Sequence, residues 1–158
     1  MAWRRPKPDY EAIDKAFAEA EKFYRLVTGS MSAEMNQTVE TRLASVVFLF
    51  GAVAAAGDAW EMSPADRAAA FILAQAANGF SEADAQTMGR FVLEVMDEGD
   101  EDWPWTLAFT CGGEAYEAFR DGSEVRALEL LAEALETAAS VDEAPTGSLA
   151  PQVVPIVR

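Results

Sequence analysis

The side chains that usually do chemistry near neutral pH are scarce in this chain. It has no histidine and a single cysteine, Cys111. Without an imidazole, no Ser-His or Cys-His nucleophile pair can form, and no histidine can hold a metal. The common zinc sites need several Cys or His ligands, and one thiol cannot supply them. Carboxylate-bridged di-iron bundles draw two histidines from Glu-x-x-His motifs, which are also missing. Cys111 precedes Gly112-Gly113, but a reactive thiolate needs a neighbouring cation or base. The flanking sequence is acidic and apolar, so a buried, inert thiol is expected.

Carboxylates remain. Asp97, Glu98, Asp100, Glu101 and Asp102 form an acidic run interrupted only by Gly99. A calcium loop of EF-hand type starting at Asp97 would want oxygen ligands at 99 and 101, glycine at 102 and a bidentate glutamate at 108. The chain has Gly99, Asp102 and Ala108 there, so the pattern fails. Glu94-x-x-Asp97 resembles the downstream half of the magnesium motif of all-α nucleotide pyrophosphatases. The upstream Glu-Glu-x-x-Glu is missing, with only Glu82 and Asp84 in its place, and no Lys or Arg cluster is available to meet phosphate. No metal or cofactor is expected.

The acidic run leads directly into Trp103-Pro104-Trp105. Tryptophan is enriched at binding hot spots, and acids around an aromatic anchor suit a basic, amphipathic partner. The competing expectation is that both rings fold back and seal the core beneath a loop. A second acidic set, Glu129, Glu133 and Glu136, falls on one side of the last helix. Glu129 and Glu133 repel mildly at i,i+4, and Arg126 relieves part of this.

The charge balance agrees with such a partner. Net charge is −15, and three of the twelve basic residues are Arg4, Arg5 and Lys7. Residues 8–158 hold nine basic against 27 acidic residues, a net of −18. Such a body repels nucleic acid and anionic membrane and attracts cations. The expected function is therefore a non-enzymatic acidic binding protein. It would neutralise or escort a basic protein partner, in the manner of an immunity protein, an antitoxin or an inhibitor that mimics nucleic acid. The contact residues would be Asp97, Glu98, Asp100, Glu101, Asp102, Trp103, Trp105, Glu129, Glu133 and Glu136. An alternative is a structural or assembly subunit, or a phage-type chaperone, that self-associates through its tail. A carboxylate-only magnesium enzyme is the least favoured reading.

The elements that must position these residues read as helices throughout. The length of 158 residues fits one domain, about half of it apolar. One cysteine permits no internal disulfide, which points to a reducing cytoplasm. The basic start lacks an apolar stretch after it, so no secretory signal is expected. The longest uncharged run, Leu43–Gly57, is 15 residues. A membrane span needs about 20, so a buried helix is expected.

Asp9 should cap a first helix whose apolar face is Tyr10, Ile13, Phe17, Ala20, Tyr24 and Val27, with Gly29 ending it. A second helix is expected from about Ala33 to Ala56 with Ser32 as its cap. Its second half is apolar nearly all round, which suits the middle of a bundle. Ser63-Pro64-Ala65-Asp66 and Ser81-Glu82-Ala83-Asp84 are two further helix starts, with Asn78-Gly79 as the stop between them. They define a short helical hairpin whose second arm buries Met88, Phe91, Val92, Val95 and Met96.

Ala54-Ala55-Ala56-Gly57-Asp58 with Ser63-Pro64-Ala65-Asp66-Arg67 resembles the acidic helix-loop-helix step of TerB-like tellurite-resistance domains over that short stretch alone. The order Gly57-Asp58 and the inserted Ala59-Trp60 depart from that pattern, and no function is carried over.

A fifth helix carries Leu107, Ala108, Phe109 and Cys111, is interrupted at Gly112-Gly113, and resumes with Tyr116 and Phe119. Ser123 caps the last, lined by Val125, Leu128, Leu131, Leu135 and Ala138. The expected fold is all-α: a single-domain bundle of about five to six helices with an extended, Pro-containing C-terminal tail. The divisions are a basic N-terminal arm (1–8), a helical domain (9–140) and a tail (141–158). Pro145, Pro151 and Pro155 forbid a long helix in the tail, yet Val153, Val154, Ile156 and Val157 are apolar enough to pack on the body or on a neighbour.

Overall fold

A helix with apolar residues on every side can only be stable where other helices cover it, and the bundle is built around such a helix. The computed structural model describes residues 7–30, 38–97 and 105–141. Helices α1 (Tyr10–Ser30), α2 (Val39–Gly57), α3 (Pro64–Ala77), α4 (Glu82–Asp97), α5 (Trp105–Arg120) and α6 (Glu124–Val141) follow one another, with a 3-10 turn at Asp58–Trp60 between α2 and α3. Among the described residues there is no strand. The all-α expectation holds, and α2 is the central helix: it packs against each of the other five. The stretch Val39–Trp60 is long and apolar enough to cross a membrane by composition, yet 78% of its most apolar window is buried inside the bundle.

Aromatic side chains fill the core on both sides of α2. Phe23 of α1 stacks on Phe48 at 6.1 Å and meets the ring of Phe119 edge-on at 5.6 Å. On the far side, Phe50 meets Phe71 of α3 edge-on at 5.6 Å and Phe109 of α5 at 5.8 Å. Such pairs add roughly 0.5–1.5 kcal/mol each beyond the area they bury.

The expected caps are in place at four helices. The Asp9 carboxylate accepts from the Ala12 N–H at 3.1 Å. The hydroxyls of Ser63 and Ser81 each accept at 3.1 Å, from Asp66 and Asp84, and Ser123 accepts from Arg126 at 3.4 Å. Gly79 and Gly122 take φ values of +100° and +96°, and so close the turns after α3 and α5 where a side chain would be strained.

Four expectations are corrected. The cap of α2 is Thr38, whose hydroxyl accepts from the Thr41 N–H while the Thr41 hydroxyl accepts from the Thr38 N–H. Thr38 is extended, so no helix passes through it from Ser32; residues 31–37 lie outside the described residues. Gly29 does not stop α1, which continues through Ser30. Gly112-Gly113 does not break the fifth helix, because α5 runs unbroken from Trp105 to Arg120.

The buried face of α6 is also rotated from the expected one. Ala127, Leu130, Leu131, Ala134, Leu135 and Ala138 are buried, while Val125 is 70% exposed and Leu128 is half-buried. Leu131, Leu135 and Ala138 are thus buried as expected, with Ala127, Leu130 and Ala134 completing the inward face. Likewise Tyr10 is 71% exposed and Phe17 only half-buried, because α1 turns Ala12, Ala16 and Phe23 inward instead. The tail beyond Val141 and the arm before Lys7 lie outside the described residues.

The two glycines of α5 are a packing device. A Cβ built on Gly112 would lie 1.9 Å from the Phe48 carbonyl oxygen, and one on Gly51 of α2 would lie 2.2 Å from that of Phe109. The helices therefore touch backbone to backbone, antiparallel, with 48 opposite 112 and 51 opposite 109. Since α6 returns from α5 through the Asp121-Gly122 turn, the start of α5, the end of α6 and the end of α2 share one end of the bundle. The start of α1 joins them there, where the Asp9 N–H donates to the Asp66 carboxylate of α3 at 3.2 Å.

Candidate functional site

The sequence-predicted site divides between described and undescribed residues. Glu98, Asp100, Glu101, Asp102 and Trp103 lie outside the described residues, and Asp97 is described only as the last backbone position of α4. Both attachment points of the acidic run, the end of α4 and the start of α5, lie at the bundle end where α6 finishes. Trp105 opens α5. Its ring is half-buried and meets Phe91 of α4 edge-on, centroids 6.2 Å apart. Much of this ring is thus committed to joining α4 to α5.

On α6, Glu129, Glu133 and Glu136 are all exposed. Arg126 donates to Glu129 at 3.4 Å, a long surface pair worth at most a few tenths of a kcal/mol. Among the described residues Glu133 and Glu136 have no ion-pair partner. The α5–α6 hairpin, residues 105–141, carries seven carboxylates against Arg120 and Arg126, a net of −5. Arg120 is itself paired with Glu117. The outer surface of this hairpin is therefore negative, neutralised only in part by Arg120 and Arg126.

Cys111 sits under that stripe, 3% exposed. Burial first, then the fields of Glu133 and Glu114, push its thiol up to about 11, against a smaller opposing pull from Arg126. The thiol stays protonated at neutral pH, which removes its nucleophilic character. Tyr116, on the same helix, donates to Glu19 of α1 at 3.4 Å and is raised to about 12, chiefly by burial. Neither group is poised for proton transfer near pH 7. Among the described residues no three His, Cys, Asp or Glu side chains gather as a set that could hold a metal ion.

Arg67 carries more of the structure than the sequence suggested. Its Nη1 donates to the Ala54 carbonyl at 2.7 Å and to the Asp58 carboxylate at 2.6 Å, and its Nε donates to the Met62 carbonyl at 3.0 Å. One guanidinium thus ties the end of α2, the 3-10 turn and the start of α3. Asp58 serves this tie, so the helix-loop-helix step is a structural joint. The signal available was an arginine four residues after a Ser-Pro cap, which by itself gives no partner.

Sequence reasoning also missed a concavity. Tyr10, Ile13 and Asp14 of α1, Ala69, Ile72 and Leu73 of α3, and Gln86, Gly89, Arg90 and Leu93 of α4 line a groove of about 620 Å³. Comparison with protein-family models, with curated proteins and with solved structures finds no match for this chain.

Proposed function

We propose that this protein is a non-enzymatic acidic binding protein that neutralises or escorts a basic protein partner. The observation that carries this reading is the exposed acidic side of α6, with Glu129 only weakly paired and Glu133 and Glu136 unpaired among the described residues, on a hairpin of net charge −5. The helix ends that flank the acidic run, the end of α4 and the start of α5, lie at the end of the bundle where α6 finishes, which supports a shared acidic region.

The mechanism is electrostatic and steric. Lys and Arg side chains of the partner are drawn to the carboxylates, which raises the encounter rate and sets orientation. Trp103, and the part of Trp105 not packed on Phe91, supply apolar contact once the partner arrives. The partner's own basic site is then covered. With no histidine in the chain and its one thiol held protonated, binding is better supported than catalysis.

The test is association kinetics with two charge reversals, each judged beside a helix-content measurement. Replacing Asp100, Glu101 and Asp102 with lysine should slow association about tenfold or more at low salt and leave the bundle helical. Replacing Glu129, Glu133 and Glu136 should act in the same direction. Unchanged association in both would remove the acidic surface from the interface.

A further inference from the structure

The groove between α1 and the α3–α4 hairpin is a strongly apolar concavity on the described surface. Leu73 is 43% exposed on its wall and Tyr10 is 71% exposed at its rim. Gly89 forms part of the floor, where a Cβ would come within 2.6 Å of Ile72. Among the described residues of the lining, only Asp14 and Arg90 are charged, one of each sign. Elsewhere the molecule is strongly anionic.

We propose that this groove is the receptor for the chain's own segment Val153-Val154-Pro155-Ile156-Val157, which lies across α1, α3 and α4 as an extended strap. The first argument is position. α6 ends at the bundle end where α1 begins, and the groove starts there, at Tyr10 and Ile13. The second is reach. Residues 142–152 span up to about 36 Å when extended, roughly the diameter of a body of this size, so Val153 can reach the groove from Val141.

The third argument is chemistry. Residues 144–157 carry no charge. β-branched side chains on both sides of a proline favour an extended chain, and the proline lowers the entropy lost on docking.

A second copy is the less favourable occupant. Each copy carries a net charge of −15, so docking in trans works against like-charge repulsion. Docking in cis avoids that repulsion and gains an effective concentration on the order of millimolar.

The test uses the full chain and thermolysin, with cleavage of the Gln152–Val153 bond followed by mass spectrometry. The reference is the same bond in a synthetic peptide covering 148–158. Cleavage of a docked segment tracks the population of its open form. The strap predicts cleavage at least about tenfold slower in the chain than in the peptide. Leu73→Asp and, separately, Ile156→Asp should each restore the peptide rate, with circular dichroism unchanged. Ile156 belongs to none of the six described helices, so that variant remains informative if Leu73→Asp disturbs folding. Equal rates in chain and peptide would overturn the proposal, as would protection unaffected by both variants. Protection that vanishes on hundredfold dilution would assign the groove to a second copy and overturn docking in cis.

Discussion

Gly112 of α5 stands so close to Phe48 of α2 that a methyl group at its Cα would be 1.9 Å from the Phe48 carbonyl oxygen. Neither partner can yield cheaply, since both are helical backbone in the core. Gly112→Ala should therefore destabilise the fold by about 3 kcal/mol or more, by forcing α5 off α2. Gly113 is its internal control. A Cβ there would find its nearest neighbours at 3.7 and 3.8 Å, an ordinary contact. Gly113→Ala should be neutral or stabilise by about 0.5–1 kcal/mol, because alanine loses less backbone freedom in a helix. Denaturant unfolding of the two variants distinguishes them directly.

Arg67 donates into the Ala54 carbonyl, the Met62 carbonyl and the Asp58 carboxylate at the joint between α2 and α3. Arg67→Ala should cost about 2–3 kcal/mol, because the part-buried Ala54 carbonyl of α2 and the Met62 carbonyl ahead of α3 lose a charged donor. Arg67→Lys should recover only part of this, since a single ammonium cannot span three acceptors in different directions. Asp58→Asn should cost less than either, because Asp58 is largely exposed and the carbonyl contacts survive. The midpoints of thermal unfolding give the ranking.

The Cys111 thiol lies higher in the folded chain, at about 11, than its ordinary value of 9.0. Folding thus favours the protonated form. Its contribution to stability is complete below about pH 9 and is lost as pH rises toward 11. Replacing Cys111 with alanine should flatten the alkaline fall in stability over that window. A disulfide-exchange reagent at pH 8 should label the native thiol far more slowly than the unfolded one. Rapid labelling of the native chain would contradict the account of this site.

The sequence showed the helices more clearly than their contacts. Asp9, Ser63, Ser81 and Ser123 are local caps, each settled by a hydrogen bond within three residues, and local chemistry is what a sequence displays. The central place of α2 was readable because a helix apolar on all sides has only one kind of home. Thr38 was missed because Ser32 offered a similar cap upstream, and the reciprocal bond with Thr41 decides between them.

Gly112-Gly113 looked like an interruption because the gain from backbone contact with Phe48 lies on another helix. The face of α6 was legible only in part: Leu131, Leu135 and Ala138 are buried as expected, while Ala127, Leu130 and Ala134 take the inward places expected of Val125 and Leu128. The groove draws on α1, α3 and α4 and has no sequence signature at all. The acidic stripe on α6 was readable as a face. That Glu133 adds to the burial that keeps Cys111 protonated required the packing of α5 on α6.

The acidic surface predicts a distinctive response to salt. Exposed charges act over a screening length of roughly 10 Å at 0.1 M and about 3 Å at 1 M. Binding carried by Glu129, Glu133 and Glu136 should weaken steeply between these limits. A contact carried by the groove instead should weaken little, because apolar burial is not screened.

The most direct measurement of the central claim is affinity capture from native host lysate with the full chain. It should be run at low and at high salt, beside the variant with Glu129, Glu133 and Glu136 reversed to lysine. The account predicts one basic protein retained at low salt, lost at high salt and not retained by the reversed variant. Retention of a partner equally by both chains and at both salt concentrations would contradict it.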